Sequence, residues 1–297
     1  MSLLVGTTTG MFSVETGDVV VAGTRINHIA RDESGWWAVD GKGRIHHEGN
    51  VVASLPDGAV AGCVQPTPET VWIGADQARL YGLENGIVAE DEFFATAPGR
   101  DTWHTPWGGP PAVRSMTLDA DHTLYVNVHV GGILRYDDTG LVPTVDISSD
   151  IHQVAAHPTE KGAVFAASAR GLAVSHNGHD FEFRSDGLHA SYCRAVAVLD
   201  DRVVFSASTG PRTERGRLYS CPFWDDEIEP LTSGLPEWFD DNLNTHCIVA
   251  DENRVYLGHD DQVWISEDRG ITWSVMIGGL PTITCLALPG AADRRIQ

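Results

Sequence analysis

The chain has 297 residues with 42% hydrophobic content, enough for one large core or two smaller ones, and ordinary for a globular protein. Its 41 acidic and 20 basic residues leave a formal charge of −21, which excludes nucleic acid and anionic membrane as partners, because phosphate binding needs clustered Lys and Arg. No apolar run approaches a membrane span, and Met1–Gly6 lacks the basic region and apolar core of a signal peptide, so a cytoplasmic protein is expected. The five cysteines (Cys63, Cys193, Cys221, Cys247, Cys285) are widely spaced with no Cys-x-x-Cys, and they read as small buried hydrophobes rather than as a zinc or redox motif.

Taken in order, the chain repeats one unit: a short apolar strand, a second strand ending in small residues, then Gly and an aliphatic–aromatic pair opening a third. The second and third strands recur as Leu4–Gly6 with Gly10–Ser13, Val71–Gly74 with Leu80–Tyr81, and Leu124–Val126 with Gly132–Leu134. They continue as Val164–Ala167 with Gly171–Ser175, Val203–Ser206 with Gly216–Ser220, and Val255–Gly258 with Val263–Ser266; Gly35–Val39 with Arg44–His46 fits more loosely. First strands align at Ile26–Ile29, Val60–Cys63, Val113–Met116, Ile151–Val154, Cys193–Val196, Thr245–Ile248 and Ile283–Leu286. Seven first strands at intervals of about 34 to 53 residues predict an all-β, seven-bladed β-propeller. The last first strand lacks a successor and the opening strands lack a predecessor, so N- and C-terminal strands together close the last blade. The expected domain is single, 1–297, with 289–297 as a C-terminal tail.

One turn stands out. After Val263–Ile265 comes Ser266-Glu267-Asp268-Arg269-Gly270-Ile271-Thr272-Trp273, in which Asp268 can accept from the turn's amides and Gly270 can take positive φ. This resembles the Asp-box (BNR repeat) of sialidase-like β-propellers, Ser-x-Asp-x-Gly-x-Thr-Trp, with every defined position filled. Degenerate copies lie at Ser13–Gly17, Tyr136–Gly140 and Ser175–Phe181. The resemblance implies a structural turn far from any active site and a WD40/YVTN-like repeat architecture. The sialidase catalytic pattern is absent: Arg25-Ile26-Asn27 stands where that family has Arg-Ile-Pro, and sialidase activity is not expected.

Chemistry is expected at the opposite end. Three insertions, 94–111, 209–216 and 222–244, crowd one face with Trp, Pro and Gly, as a stiff rim over a small-molecule pocket. Beneath them, the second position of each first strand reads Asn27, Ala61, Arg114, His152, Arg194, His246 and Thr284. Two arginines and two histidines on four successive blades are costly to desolvate without a partner, so they face channel water or serve a bound anion or metal. Tyr192 precedes one of these strands. His129 and His259 end second strands at the same face. His104, with Trp103 and Trp107, lies in the first insertion, Trp238 in the last, and His189 in a connection. The remaining histidines, His28, His46, His47, His122, His157, His176 and His179, read as surface or turn residues.

Two chemistries fit this column. In one, Arg114 and Arg194 clamp a substrate carboxylate while His152 or His246 moves a proton, with Tyr192 nearby. Lyases of uronic-acid sugars on seven-bladed propellers look like this, some with a histidine-bound metal. In the other, His152, His246 and one of His129 or His259 hold a divalent metal, the single cofactor expected. Asn27, Trp103, His104, Trp107, His189 and Trp238 would line the substrate. The resulting reading is a monomeric lyase or hydrolase for a small anionic or sugar-like metabolite. Its alternative is a non-catalytic propeller that binds a protein partner, as Asp-box-like repeats do in photosystem assembly factors.

Overall fold

A computed structural model describes residues 2–137 and 140–288. The predicted tail, 289–297, and part of the degenerate turn Tyr136–Gly140 fall outside the described residues. Seven antiparallel four-stranded sheets form the blades of a propeller. Blades are numbered here from the N-terminus, so the blade holding Leu4–Thr7 is blade 1. Its inner strand is Ile283–Ala287, which pairs with Leu4–Thr7 through Val5 opposite Leu286 and Gly6 opposite Cys285. The termini therefore close the ring, as the strand bookkeeping predicts.

The inner strands of blades 2 to 5 are Ile26–Asp32, Ala61–Pro66, Ala112–Leu118 and Ile151–Ala156. In blades 6 and 7 the regular ladder begins only at Val196 and Ile248, three residues later than the repeat suggests. The predicted insertion 222–244 also contains the short outer strand of blade 6, Glu229–Pro230. Among the described residues no helix is long and apolar enough to cross a membrane.

Packing explains the alternation of the repeat. Seven apolar clusters occupy the seven blade–blade interfaces of the described residues. Phe165, Leu172, Cys193 and Phe205, for example, join blades 5 and 6, and Leu3, Val5, Tyr256 and Val263 join blades 7 and 1. Both faces of most strands are buried, so the strands read as nearly continuous apolar runs. Small residues end the second strands because the neighbouring blade approaches there. A Cβ on Gly74 would lie 2.4 Å from Val113 of blade 4. The five cysteines are free and buried in this apolar packing.

The turn at Ser266–Trp273 is an internally bonded knot on the outer hairpin of blade 7. Ser266 Oγ donates to Asp268 Oδ1 at 2.8 Å and accepts from the Gly270 amide at 2.8 Å. Asp268 also accepts from the Thr272 amide at 2.7 Å, and Trp273 Nε1 donates to the Gly270 carbonyl at 2.9 Å. Gly270 has φ of 94°, as the turn requires. Ser175 and Asn177 repeat the arrangement, with Asn177 Oδ1 accepting from the His179 and Asp180 amides at 2.9 Å. Partial burial alone would raise the Asp268 pKa, but the bonds from Thr272 and Ser266 outweigh it and hold the carboxylate below its usual range. Asp268→Ala is expected to cost about 1–2 kcal/mol by freeing the turn's donors. Urea denaturation reads this directly, and an unchanged midpoint would count against a stabilising turn.

Candidate functional site

The polar column has a structural cause that the periodicity does not reveal. In five of the seven blades the inner strand carries a one-residue β-bulge near its start, and the residue left out of the pairing is the one at the column. In blades 6 and 7 the column residues Arg194 and His246 precede the ladder. Pairing skips Asn27, Arg114, His152 and Thr284 in this way. In blade 3 it skips Gly62, so the equivalent residue there is Gly62 and not Ala61. A bulged residue leaves the strand's alternation and can be aimed elsewhere. Here the column lines one cavity of about 430 Å³ at the channel mouth.

Three column residues have an evident structural duty. Asn27 Nδ2 donates to the Ala61 carbonyl at 2.7 Å, His152 Nδ1 to the Cys193 carbonyl at 2.6 Å, and Thr284 Oγ1 to the Ile26 carbonyl. Each ties its blade to the chain entering the inner strand of the next: Ala61 and Ile26 open theirs, and Cys193 lies three residues before Val196. Arg114 does not. Its guanidinium lies exposed in the mouth with no hydrogen bond or ion pair among the described residues. Burial of its surroundings lowers its pKa first, and repulsion from Arg194 adds to this against the attraction of Asp150. Arg194 donates to Asn244 Oδ1 at 2.6 Å and to the Tyr192 hydroxyl at 3.4 Å, while its buried Nε has no partner.

Beside the arginines lies a second pole. His129 ends the second strand of blade 4, and Asp150 precedes the inner strand of blade 5 with φ of 48°. His129 Nε2 is 3.1 Å from Asp150 Oδ1, and His152 Nε2 is 3.7 Å from Asp150 Oδ2. Donor atoms of all three lie within 4.8 Å of one another. The His152 ring also sits 4.7 Å from that of Tyr192, and Trp107 covers His129 at 5.5 Å. Burial pulls the pKa of His152 down to about 4, and it lowers that of His129 too, despite the neighbouring carboxylate. Asp150 is held below its usual value: burial opposes this, but the close approach of His129 and the neighbouring His152 and Arg114 side chains outweigh it. The geometry is that of two imidazoles on either side of one carboxylate.

Sequence reasoning missed Asp150. A visible signal existed, because Asp150-Ile151-His152 places a carboxylate two residues before a column histidine. The three-histidine metal set does not form. His246, with φ of 66°, donates from Nε2 to the Arg114 carbonyl across the channel at 2.9 Å, and its amide donates to Gln153 Oε1 at 3.0 Å. Its ring packs 3.8 Å from that of His28, whose Nδ1 accepts from the Val64 amide. His246 lines both the mouth cavity and the cavity of about 1010 Å³ on the far side, so it belongs to a plug between them. His28 is thus a throat residue and not a surface one. His46 and His157 are likewise buried, bonded to Asp40 and to the Asp200 carbonyl. His259 pairs with Asp240 at 3.2 Å in a separate cavity.

Of the predicted lining residues, Asn27 lines the mouth cavity, and Trp107 reaches the ring of His129 beside it. Trp103 packs on Phe94 and under Arg100, anchoring the insertion, and His104 is exposed with Nδ1 bonded to the Thr102 carbonyl. His189 and Trp238 cluster with Tyr219, Arg215 and Arg217 instead.

No protein-family model and no curated protein matches the sequence. Among solved structures the chain is similar to virginiamycin B lyase from Staphylococcus aureus, with TM-score 0.64 and 14% identity over 86% of this chain and 85% of that one. A catalytically inactive histidine-to-alanine variant of that lyase with quinupristin gives TM-score 0.62 and 16% identity, covering 85% and 84%. The Pan2 WD40 domain of Neurospora crassa gives TM-score 0.53 and 11% identity, covering 89% and 79%. These likenesses are of fold: all are β-propeller proteins.

Proposed function

We propose that this propeller is an enzyme of lyase or hydrolase type acting on a small anionic metabolite in the channel mouth. One observation carries the reading: Arg114 and Arg194 stand together in the mouth, and the Arg114 guanidinium has no hydrogen bond or ion pair among the described residues. In a chain with twice as many acidic as basic residues, two guanidiniums that repel each other, with Asp150 as the offsetting carboxylate, form an arrangement that a bound anion would relieve. Guanidinium forks suit a carboxylate in bidentate fashion. Tyr192, bonded to Arg194 and tilted against the His152 ring, is the group suited to move a proton at the substrate, while His129, Asp150 and His152 form the adjoining polar cluster. A lyase among the similar propellers adds support for the reaction class. The single cavity shared by Arg114, His152 and Arg194 favours chemistry over a purely scaffolding role, which needs no such convergence. On the Ser266–Trp273 turn and its copy at Ser175, we also read the chain as a propeller of the Asp-box kind.

The test is a melting-temperature screen against small mono- and dicarboxylates, uronates, sugar phosphates and neutral sugars, followed by turnover assays on the hits. Carboxylates should raise the melting temperature of the wild type and lose that effect in Arg194→Ala. Stabilisation by neutral sugars alone, or equal response in wild type and variant, would sink the reading.

A further inference from the structure

The mouth contains more than an anion clamp. His152 is 1% exposed, and its Nδ1 is committed to the Cys193 carbonyl, which fixes the tautomer and turns the Nε2 lone pair toward Asp150. That Nε2 has no hydrogen-bond partner, and neither does Asp150 Oδ1 by hydrogen-bond geometry, although His129 lies close to it. The His152 Nε2 lone pair instead meets Asp150 Oδ2 at 3.7 Å, and an unsatisfied buried acceptor beside a carboxylate is unfavourable, which a shared cation would resolve. A carbonyl on the far nitrogen of an imidazole is the usual way a protein orients a metal-ligating histidine.

We infer that His129, Asp150 and His152 form a binding site for one divalent transition-metal ion, with its remaining positions open to the cavity that Arg114 and Arg194 border. Ligand atoms held about 2.1 Å from such an ion lie about 3 to 3.5 Å apart. The 3.1 Å separation falls within that range and the 3.7 Å one lies just above it, one to each Asp150 oxygen. The three ligand atoms lie within 4.8 Å of one another, so binding requires the cluster to contract around the ion. Two imidazole nitrogens and one carboxylate select zinc, cobalt, iron or manganese over magnesium or calcium, which take oxygen ligands. The site also defines a substrate class. An ion on one side and two guanidiniums on the other suit a carboxylate whose second oxygen function, hydroxyl or carbonyl, reaches the metal. This substrate assignment rests on the anion-pocket reading above, whereas ion binding itself does not. Metal and carboxylate should bind cooperatively, because the arginines repel the ion until an anion neutralises them.

Tag-free protein stripped with chelator and titrated with Co²⁺ provides the test, read by metal content after dialysis and by visible absorption. The expected result is one Co²⁺ per chain, displaced by Zn²⁺ but not by excess Mg²⁺. Asp150→Asn and His129→Ala should each weaken it by about 100-fold or more, while His259→Ala should leave it unchanged. Arg114→Ala should keep the ion and lose the carboxylate response, which separates failure of the anion reading from failure of the metal site. No saturable Co²⁺ binding by the folded wild type overturns the inference whatever the variants do. So does binding that survives in both Asp150→Asn and His129→Ala, or preferential binding of Mg²⁺.

Discussion

Arg114→Ala is expected to weaken carboxylate binding by about 100-fold and to abolish turnover, while leaving the unfolding midpoint unchanged or raised. The loss follows from charge-assisted hydrogen bonds, worth about 1.5–3 kcal/mol in such a setting. The stability follows from what Arg114 lacks. It makes no hydrogen bond or ion pair among the described residues, its surroundings desolvate it, and Arg194 repels it, so its removal relieves the folded state. Arg194→Ala should lose binding too, but it also frees Asn244 and the Tyr192 hydroxyl and should cost some stability. Arg114→Lys keeps the charge without the planar fork and should recover only part of the affinity. Calorimetric titration with the best carboxylate, beside thermal unfolding, checks all three. Wild-type affinity in Arg114→Ala would remove the anion site. A large drop in its melting temperature would mean that the side chain has a structural partner after all.

How far the sequence discloses this arrangement depends on the kind of feature. The blades are legible because burial on both faces writes each strand as an apolar run, and because Gly or another small residue must end the second strand where the next blade packs. The closing blade is legible for the same reason: Ile283–Leu286 needs the partner that Leu4–Gly6 supplies. A bulge is different. It shifts one residue out of a period of two and leaves no composition signal, so Ala61 is taken for Gly62, and the entry to blades 6 and 7 is read as regular strand. Side-chain convergence is further out of reach. His246 and His152 occupy equivalent positions, yet the positive φ of His246 swings its Nε2 across the channel to the Arg114 carbonyl, while His152 keeps to its neighbouring blade. Equivalent positions in a repeat share backbone surroundings, not partners. Asp150 is missed because it lies one residue before its strand, outside the column.

Acid should weaken the fold through the channel plug, and His246 should account for a measurable share. Its ring meets His28 and the Arg114 carbonyl, and its amide donates to Gln153. No carboxylate among the described residues contributes to its titration, and burial pulls its pKa down to about 4. In the unfolded chain the ordinary value is about 6.5. Between these two values the unfolded state binds the extra proton, so stability falls as pH drops below about 6.5, and the loss is complete below about 4. The difference amounts to roughly 3 kcal/mol for this residue. His28, whose pKa is lowered first by burial and then by the His246 charge, acts in the same direction, as does His152. Chemical denaturation from pH 7.5 to 4.5 should show the decline, and His246→Gln should flatten it, since glutamine can still donate to the Arg114 carbonyl but cannot be charged. Protonation of carboxylates reduces the net charge of −21 and works the other way, so the comparison between wild type and variant, not the wild-type curve alone, carries the test. Identical pH slopes in the two proteins would show that the ring is charged as easily in the fold as in water. The plug would then be open to solvent, and the two cavities would be one continuous channel.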